Sequence, residues 1–315
     1  MSDLHKHDLS IAVLVPCYNE GATVATVVKD FAHALPDAKI YVYDNRSTDD
    51  TFERALAAGA IVRREDRPGK GEVVRRMFAD IEADIYVMID GDATYHAPSA
   101  PKLIDLMIST HADLVNGARI DTAVKAYRPG HRFGNRLLTG LVSAVFGQMT
   151  TDMLSGYKIF SRRFVKSFPA HSRGFEIETE LMVHALELRM TIKEQPTPYA
   201  ERPEGSISKL NTIRDGIRII SIIGLFVREE RPLAVFSMLG AVLALLALGL
   251  GIPVVMEFLA TGLVSRFPTA ILASALMITA VISVFSGLVL DTVTRGRREV
   301  KRFAYLAVQD RRFQV

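Results

Sequence analysis

The chain reads as an α/β fold on a mostly parallel sheet with helices on both faces, followed by a two-helix transmembrane hairpin. Three observations predict it. Strand-like and helical runs alternate from about residue 9 to 196, the pattern of sheets whose parallel strands are joined by helices. Mean hydropathy is positive, +0.19, although 23% of the 315 residues are charged, so the apolar residues are concentrated rather than spread over ordinary amphipathic elements. They lie near the C-terminus, in residues 233–256 and 269–290, neither of which contains a charge.

The strand candidates are residues 10–15, 39–43, 61–63, 85–89 and 114–116, separated by helical runs such as 22–34, 70–81 and 101–110. In such sheets ligands bind beyond the carboxyl ends of the strands. Three polar clusters fall there: Pro16-Cys17-Tyr18-Asn19-Glu20 after the first strand, Asp44-Asn45-Arg46-Ser47-Thr48-Asp49 after the second, and Asp90-Gly91-Asp92 after the fourth. Two carboxylates side by side repel unless a proton or cation intervenes, so Mg²⁺ or Mn²⁺ bridging to a diphosphate is the natural partner of Asp90 and Asp92. The plain alternative is a solvated turn. Asp44 suits a nucleobase or ribose, and residues 44 and 47–49 equally suit the cap of a helix starting near Thr51. Gly69-Lys70-Gly71 suggests backbone approach to a phosphate with a lysine at hand, without the spacing of a P-loop.

Each uncharged stretch exceeds the about 20 residues a helix needs to cross a ~30 Å hydrocarbon core, and neither keeps the polar stripe of a soluble helix. The loop between them carries Glu257 and Arg266, whereas Arg295, Arg297, Arg298, Lys301, Arg302, Arg311 and Arg312 follow against Asp291, Glu299 and Asp310. The positive-inside rule then puts both ends of the hairpin in the cytoplasm. Ahead of it, Ile213, Ile217, Ile220, Ile223 and Phe226 recur at helical spacing among Arg214, Asp215, Arg218 and Arg228, which reads as an amphipathic helix in the membrane interface or packed on the domain. The first apolar run is too short for a signal-peptide core, so the N-terminal domain is expected to stay on the side where it is made. The single cysteine, Cys17, excludes an intramolecular disulfide and a cysteine metal cluster, and reads as a small buried strand residue. A net charge of +3 is too modest to argue for nucleic acid.

Seven motifs occur in one order: Pro16-x-Tyr18-Asn19-Glu20, Asp44-Asn45-x-Ser47-Thr48-Asp49, Gly69-Lys70-Gly71, Asp90-x-Asp92, Gly117-x-Arg119, Asp152-x-x-Ser155-Gly156-Tyr157-Lys158 and Arg202-x-x-Gly205-Ser206-x-Ser208-Lys209. Together they resemble the inverting GT-A glycosyltransferases related to dolichyl-phosphate mannose synthase and, with the hairpin, the bacterial polyprenyl-phosphate glycosyltransferases. The resemblance implies a cytoplasmic GT-A domain over residues 1–209, an interfacial helix over 210–231, the hairpin over 232–291 and a basic cytoplasmic tail over 292–315. It implies transfer of a hexose-type sugar from a nucleotide-diphosphate sugar to a polyprenyl phosphate, with inversion, by a homo-oligomer at the inner membrane. Pro16, Tyr18, Glu20, Asp44, Lys70, Asp90 and Asp92 would bind the donor, with Mg²⁺ or Mn²⁺ on Asp90 and Asp92. Asp152, with Asp92, would serve the reacting centre, and Arg119, Arg132, Arg136, Arg202 and Lys209 would receive the acceptor phosphate.

Two positions depart from the family pattern. Thr94 stands where the mannose-synthase type usually has a metal-reaching glutamine, and Ile207 is inserted before Ser208. A processive polysaccharide synthase is disfavoured because its Gln-x-x-Arg-Trp signature needs a tryptophan and the chain has none. A nucleotidyltransferase would want a Gly-rich basic loop after the first strand, and an inactive scaffold has no need of both Asp90 and Asp92. Glu176, Glu178 and Glu180 alternate without a role beyond lining a site.

Overall fold

The computed structural model describes residues 9–121, 150–169, 177–200 and 231–313. They divide into two compact units, one holding the described residues of Met1–Ile220 and Val300–Val315, the other those of Ser221–Glu299. The amphipathic helix expected over 210–231, and with it Arg132, Arg136, Arg202 and Lys209, lies outside the described residues.

The first unit is built on a seven-stranded sheet in the order β3-β2-β1-β4-β6-β5-β7. Its strands are β1 (Ile11–Cys17), β2 (Lys39–Asp44), β3 (Ile61–Arg64), β4 (Ile85–Met88), β5 (Leu114–Asp121), β6 (Lys158–Ser161) and β7 (Ile192–Tyr199). β1 pairs in parallel with β2 and β4, and β5 with β7, whereas β6 runs antiparallel to both β4 and β5. The run Ile-Ala-Val-Leu-Val of β1 is apolar on both faces because helices cover both sides. Val13, Val15, Val28, Phe31, Val87, Leu103 and Met107 share one buried core. The connecting helices are α1 (Val24–Ala34), α2 (Thr51–Ala57), α3 (Lys70–Asp80) and α4 (Ala100–Thr110), followed by α5 (Arg162–Ser167) and α6 (Ile177–Glu187). The carboxyl ends of β1, β2 and β4 are therefore neighbours, and the three polar clusters meet on one edge as expected. Cys17 closes β1 and is buried. The β6 strand has no counterpart among the sequence-based strands, since its four residues include a lysine, and it is the reversal that makes the sheet mixed.

The opposite edge is laced by the C-terminal residues. Arg312, with 1% of its side chain exposed, pairs with Asp310 at 2.5 Å and Asp113 at 3.5 Å and donates to the Ala112 carbonyl at 2.6 Å. The Tyr305 hydroxyl donates to Asp113 at 3.0 Å, Arg163 to the Val308 carbonyl at 3.0 Å, and Lys301 to Glu187 at 2.6 Å. Part of the basic charge counted at the C-terminus is thus used inside the domain.

The second unit holds α7 (Pro232–Thr261) and α8 (Phe267–Ala307) as far as Glu299, and each helix is long and apolar enough to cross a membrane. α8 keeps its helical path well beyond the apolar stretch. Besides Pro232 and Ser283, the buried residues recur every seventh position, Gly240, Ala247 and Val254 on α7 and Ala273, Ala280, Gly287 and Thr294 on α8, the seam of a left-handed helix pair. A Cβ on Gly240 would stand 2.9 Å from the Ala280 carbonyl oxygen, and one on Gly287 2.8 Å from the Phe236 Cβ, so the backbones approach through small residues as in membrane bundles. Leu245, Leu259, Phe285 and Val289 among others face outward.

Arg312→Ala would leave Asp310 and Asp113 buried without their cation and is expected to remove about 3–5 kcal/mol of stability. Arg311→Ala, whose side chain is 58% exposed where it meets Asp84, is expected to change it by under about 1 kcal/mol. Denaturation of the detergent-solubilised protein distinguishes the two; equal effects would show that the buried contact contributes nothing special.

Candidate active site

The loops after β1 and β2 are bound to each other before they can hold anything else. The Asn19 amide donates to Ser47 Oγ and the Thr48 amide to Asn19 Oδ1, both at 2.8 Å, and the Glu20 amide donates to Thr51 Oγ1 at 2.9 Å. Asn19 and Arg46 adopt left-handed backbone, φ 51 and 62, which asparagine tolerates better than most residues. Tyr18 is left half-exposed directly after Cys17, which pairs with Asp44 across the sheet. Asp44 accepts the Ser47 amide at 3.2 Å, while Asp49 accepts the amides of Gly21 at 2.9 Å and Thr51 at 3.1 Å. Asp49 thus steadies the start of α2, and Asp44 stands at the strand end. Pro16 is buried within β1, so it sets the path of the strand into the loop rather than presenting a face to a ligand.

Asn45 joins this edge to the glycine-lysine loop. Its Nδ2 donates to the carbonyls of Glu65 at 2.9 Å and Arg67 at 2.7 Å, and its Oδ1 accepts the Gly69 amide at 2.8 Å. Gly69 has φ 121, open to glycine and strained for other residues. α3 then starts at Lys70, whose ammonium bridges Asp90 and Glu178. Burial alone would push this lysine down, but the charges and hydrogen bonds of Asp90 and Glu178 outweigh it and hold the group above its ordinary value.

Asp92 is buried and takes two bonds from Thr94, the hydroxyl at 2.6 Å and the amide at 3.3 Å. The left-handed turn at Ala93, φ 58, brings both donors back onto one carboxylate oxygen; strain of this kind gathers at functional sites. Gly156 closes the site from the other side: its amide donates to the Tyr95 hydroxyl at 2.7 Å, and a Cβ there would overlap the Asp90 carboxylate.

A second cluster adjoins the first. Asp152 accepts Arg119 Nε and Nη2, each at 2.7 Å, and the Arg119 amide at 3.2 Å, and the guanidinium lies 5.5 Å from the centre of the Tyr199 ring. Burial would raise the Asp152 carboxyl, but the bonds and charge of Arg119 prevail and hold it below the usual carboxylate range. Arg119, expected to receive an acceptor phosphate, is thus engaged bidentately by the residue expected at the reacting centre. Beneath them Lys158 is fully buried, and burial pushes its ammonium down to about 8 against the opposing charges of Asp152 and Glu178. Of the residues that complete the site, Glu178 stood out in the sequence only as one of three alternating glutamates. Thr94 stood out only as a departure from a family pattern, Asn45 and Lys158 as unassigned motif letters, and Asn116 only as the end of a strand run.

Asp90 and Asp92 supply hard oxygen donors that fit Mg²⁺ or Mn²⁺. Among the described residues no group of three or more His, Cys, Asp or Glu is arranged for a metal.

The sheet with its carboxyl-edge site is a GT-A fold, and the class it defines is the glycosyltransferases. The chain belongs to glycosyl transferase family 2, whose model matches residues 12–168. It is 32% identical over 291 residues to the glycosyltransferase AglJ of Haloferax volcanii, covering 92% of this chain and 95% of that protein. It is 27% identical over 221 residues to the dolichyl-phosphate hexose transferase of the same organism, covering 70% and 95%. Glucosyl-3-phosphoglycerate synthase from Mycobacterium tuberculosis, crystallised with Mn²⁺, UDP and glucosyl-3-phosphoglycerate, superimposes with a TM-score of 0.59 at 25% identity over 71% of this chain and 81% of that one.

Thr94→Val keeps the shape of the residue and removes the hydroxyl that orients Asp92. Affinity for Mn²⁺ with a nucleoside diphosphate is expected to fall about 10-fold or more, as for other residues that orient metal ligands, while the protein stays folded at a cost of about 1–3 kcal/mol for the lost bond to a buried carboxylate. Titration calorimetry checks it, and wild-type affinity would remove Thr94 from the account.

Proposed function

We propose that this chain transfers a hexose from a nucleoside-diphosphate sugar to the phosphate of a polyprenyl lipid, with inversion at the anomeric carbon. The observation that carries the reading is the state of Asp152. A general base works best with a pKa near the operating pH, and a carboxylate held low by a bidentate arginine is poor at taking a proton. An acceptor whose nucleophile is a phosphate oxygen needs none taken, because its second pKa is near ~6 and it is already an oxyanion at neutral pH. The two apolar helices and the likeness to a dolichyl-phosphate hexose transferase support a lipid as the carrier of that phosphate.

In this reading a phosphate oxygen of the acceptor attacks the anomeric carbon and the bond from that carbon to the diphosphate breaks. The nucleoside diphosphate leaves with the electron pair, and no proton changes hands. Tyr18, Glu20 and Asp44 hold the nucleoside, and Lys70 turns from Asp90 toward the diphosphate. Asp90 and Asp92 would hold Mg²⁺ or Mn²⁺, which when bound would supply charge to the departing diphosphate. Arg119, with Arg132, Arg136, Arg202 and Lys209, receives the acceptor phosphate and offsets its repulsion of the donor. Asp152 orients Arg119. Residues 300–313 pack on the unit that carries the site, which supports a catalytic domain and C-terminus on one side of the membrane; the charge asymmetry makes that side the cytoplasm.

Purified protein, Mn²⁺, a panel of nucleotide sugars and two acceptors, polyprenyl phosphate and 3-phosphoglycerate, test this reading. Transfer to the lipid is expected, falling to background in Asp92→Asn. The acid limb of the rate is expected near ~6, the ionisation of the acceptor, and at the same pH in Asp152→Asn although that variant is slower. Transfer to 3-phosphoglycerate alone, or a limb that disappears with Asp152, would overturn it.

A further inference from the structure

Lys158 takes no part in the mechanism above, yet it occupies a costly position. Its side chain is fully buried at the start of β6, where it is paired with Met88 of β4 and Asn116 of β5. Withdrawing an ammonium from water costs several kcal/mol even after relaxation, and a methionine would fill the space without that penalty. Its two hydrogen-bond acceptors among the described residues are neutral: Asn116 Oδ1 at 2.8 Å and the Met153 carbonyl at 3.1 Å. Simple charge pairing therefore does not explain the lysine.

The bonds it makes do. Asn116 Nδ2 donates to the Asp152 carbonyl at 2.8 Å and to Glu194 at 2.9 Å. Glu194 accepts the Thr151 amide at 3.0 Å and the Thr151 hydroxyl at 2.5 Å. Three consecutive loop residues, Thr151, Asp152 and Met153, are thus tied to β7, β5 and β6 from beneath, while the Asp152 carboxylate above meets Arg119. The loop also leads directly into Gly156, which lies against Asp90. A shift of the loop moves Asp152 and Arg119 together.

We propose that Lys158 is a positioning residue for sugar transfer, acting from inside the sheet through Asn116 and the Met153 carbonyl to fix the Asp152–Arg119 pair. Being buried, it touches neither donor nor acceptor. The inference rests on the transfer reading but not on the acceptor being a lipid, and one of its readouts needs no turnover.

Lys158→Met is compared with wild type, Asp152→Asn and the double variant in three measurements: hydrogen exchange across residues 150–155, nucleoside-diphosphate affinity with Mn²⁺, and transfer kinetics with whichever acceptor the wild type uses. Exchange in that loop is expected to rise while the loops after β1 and β2 keep wild-type protection. Nucleotide affinity is expected to stay within about 2-fold and kcat to fall about 10²-fold, the loss that follows misplacement by about 1 Å. Because Lys158 acts through Asp152, the two losses are expected not to multiply in the double variant. If Lys158→Met does not fold, Asn116→Ala removes the same link from the other end and is expected to give the same pattern. Unchanged loop exchange, losses that multiply, or weakened nucleotide binding at normal kcat would each overturn the proposal. A wild type inactive on every acceptor would sink the transfer reading while the exchange result still decides whether Lys158 holds the loop.

Discussion

The bridge from Lys70 to Asp90 and Glu178 answers the constraint that shapes this molecule: carboxylates crowd one edge of the sheet. Two like charges about 4 Å apart repel by about 4 kcal/mol at the effective dielectric of a protein surface. A parallel arrangement makes such crowding unavoidable, because β1, β2 and β4 all deliver their polar ends to one place. Lys70 compensates Asp90 and Glu178, and Arg119 compensates Asp152. In the proposed transfer a nucleoside diphosphate would bring more negative charge to this edge and would enter only with countercharge, either a divalent ion on Asp90 and Asp92 or the lysine exchanging partners.

The two edges of the sheet divide the work. At the carboxyl edge, loops carry side chains whose bonds can be exchanged for a ligand's, and left-handed residues hold those loops in shape. At the amino edge, Arg312, Tyr305 and Lys301 bury ionic and polar contacts that have no such exchange to make. Stability is gathered where chemistry is absent, which lets the loops be set for binding rather than for their own stability. The small-residue seam of α7 and α8 serves the second unit in the same way, leaving its large apolar side chains to face outward.

What the sequence made legible follows from which signals are local. A strand apolar on both faces and ending in Asp90-Gly91-Asp92 announces its place from its own residues, as do two uncharged stretches of membrane length. Glu178 and Asn45 could not be assigned that way, because each acts on a partner far along the chain: Glu178 on Lys70 across 108 residues, Asn45 on the Gly69 amide across 24. Lys158 had no assigned role within its motif, and only the antiparallel strand places it between β4 and β5. Arg119 was read as a phosphate ligand, and only the fold sets it against Asp152. Pro16, placed with the donor by resemblance, lies inside β1.

The central claim is that this edge accepts a diphosphate only with its charge compensated. Calorimetric titration of UDP and GDP into the protein, with and without Mn²⁺ and at constant ionic strength, tests it most directly. The account predicts binding that strengthens by about 10²-fold or more with the ion for the nucleotide the protein prefers, a coupling of about 2.7 kcal/mol, and that largely disappears in Asp90→Asn. Equally tight binding without the ion would contradict it, since the carboxylates would then not be what the diphosphate has to overcome.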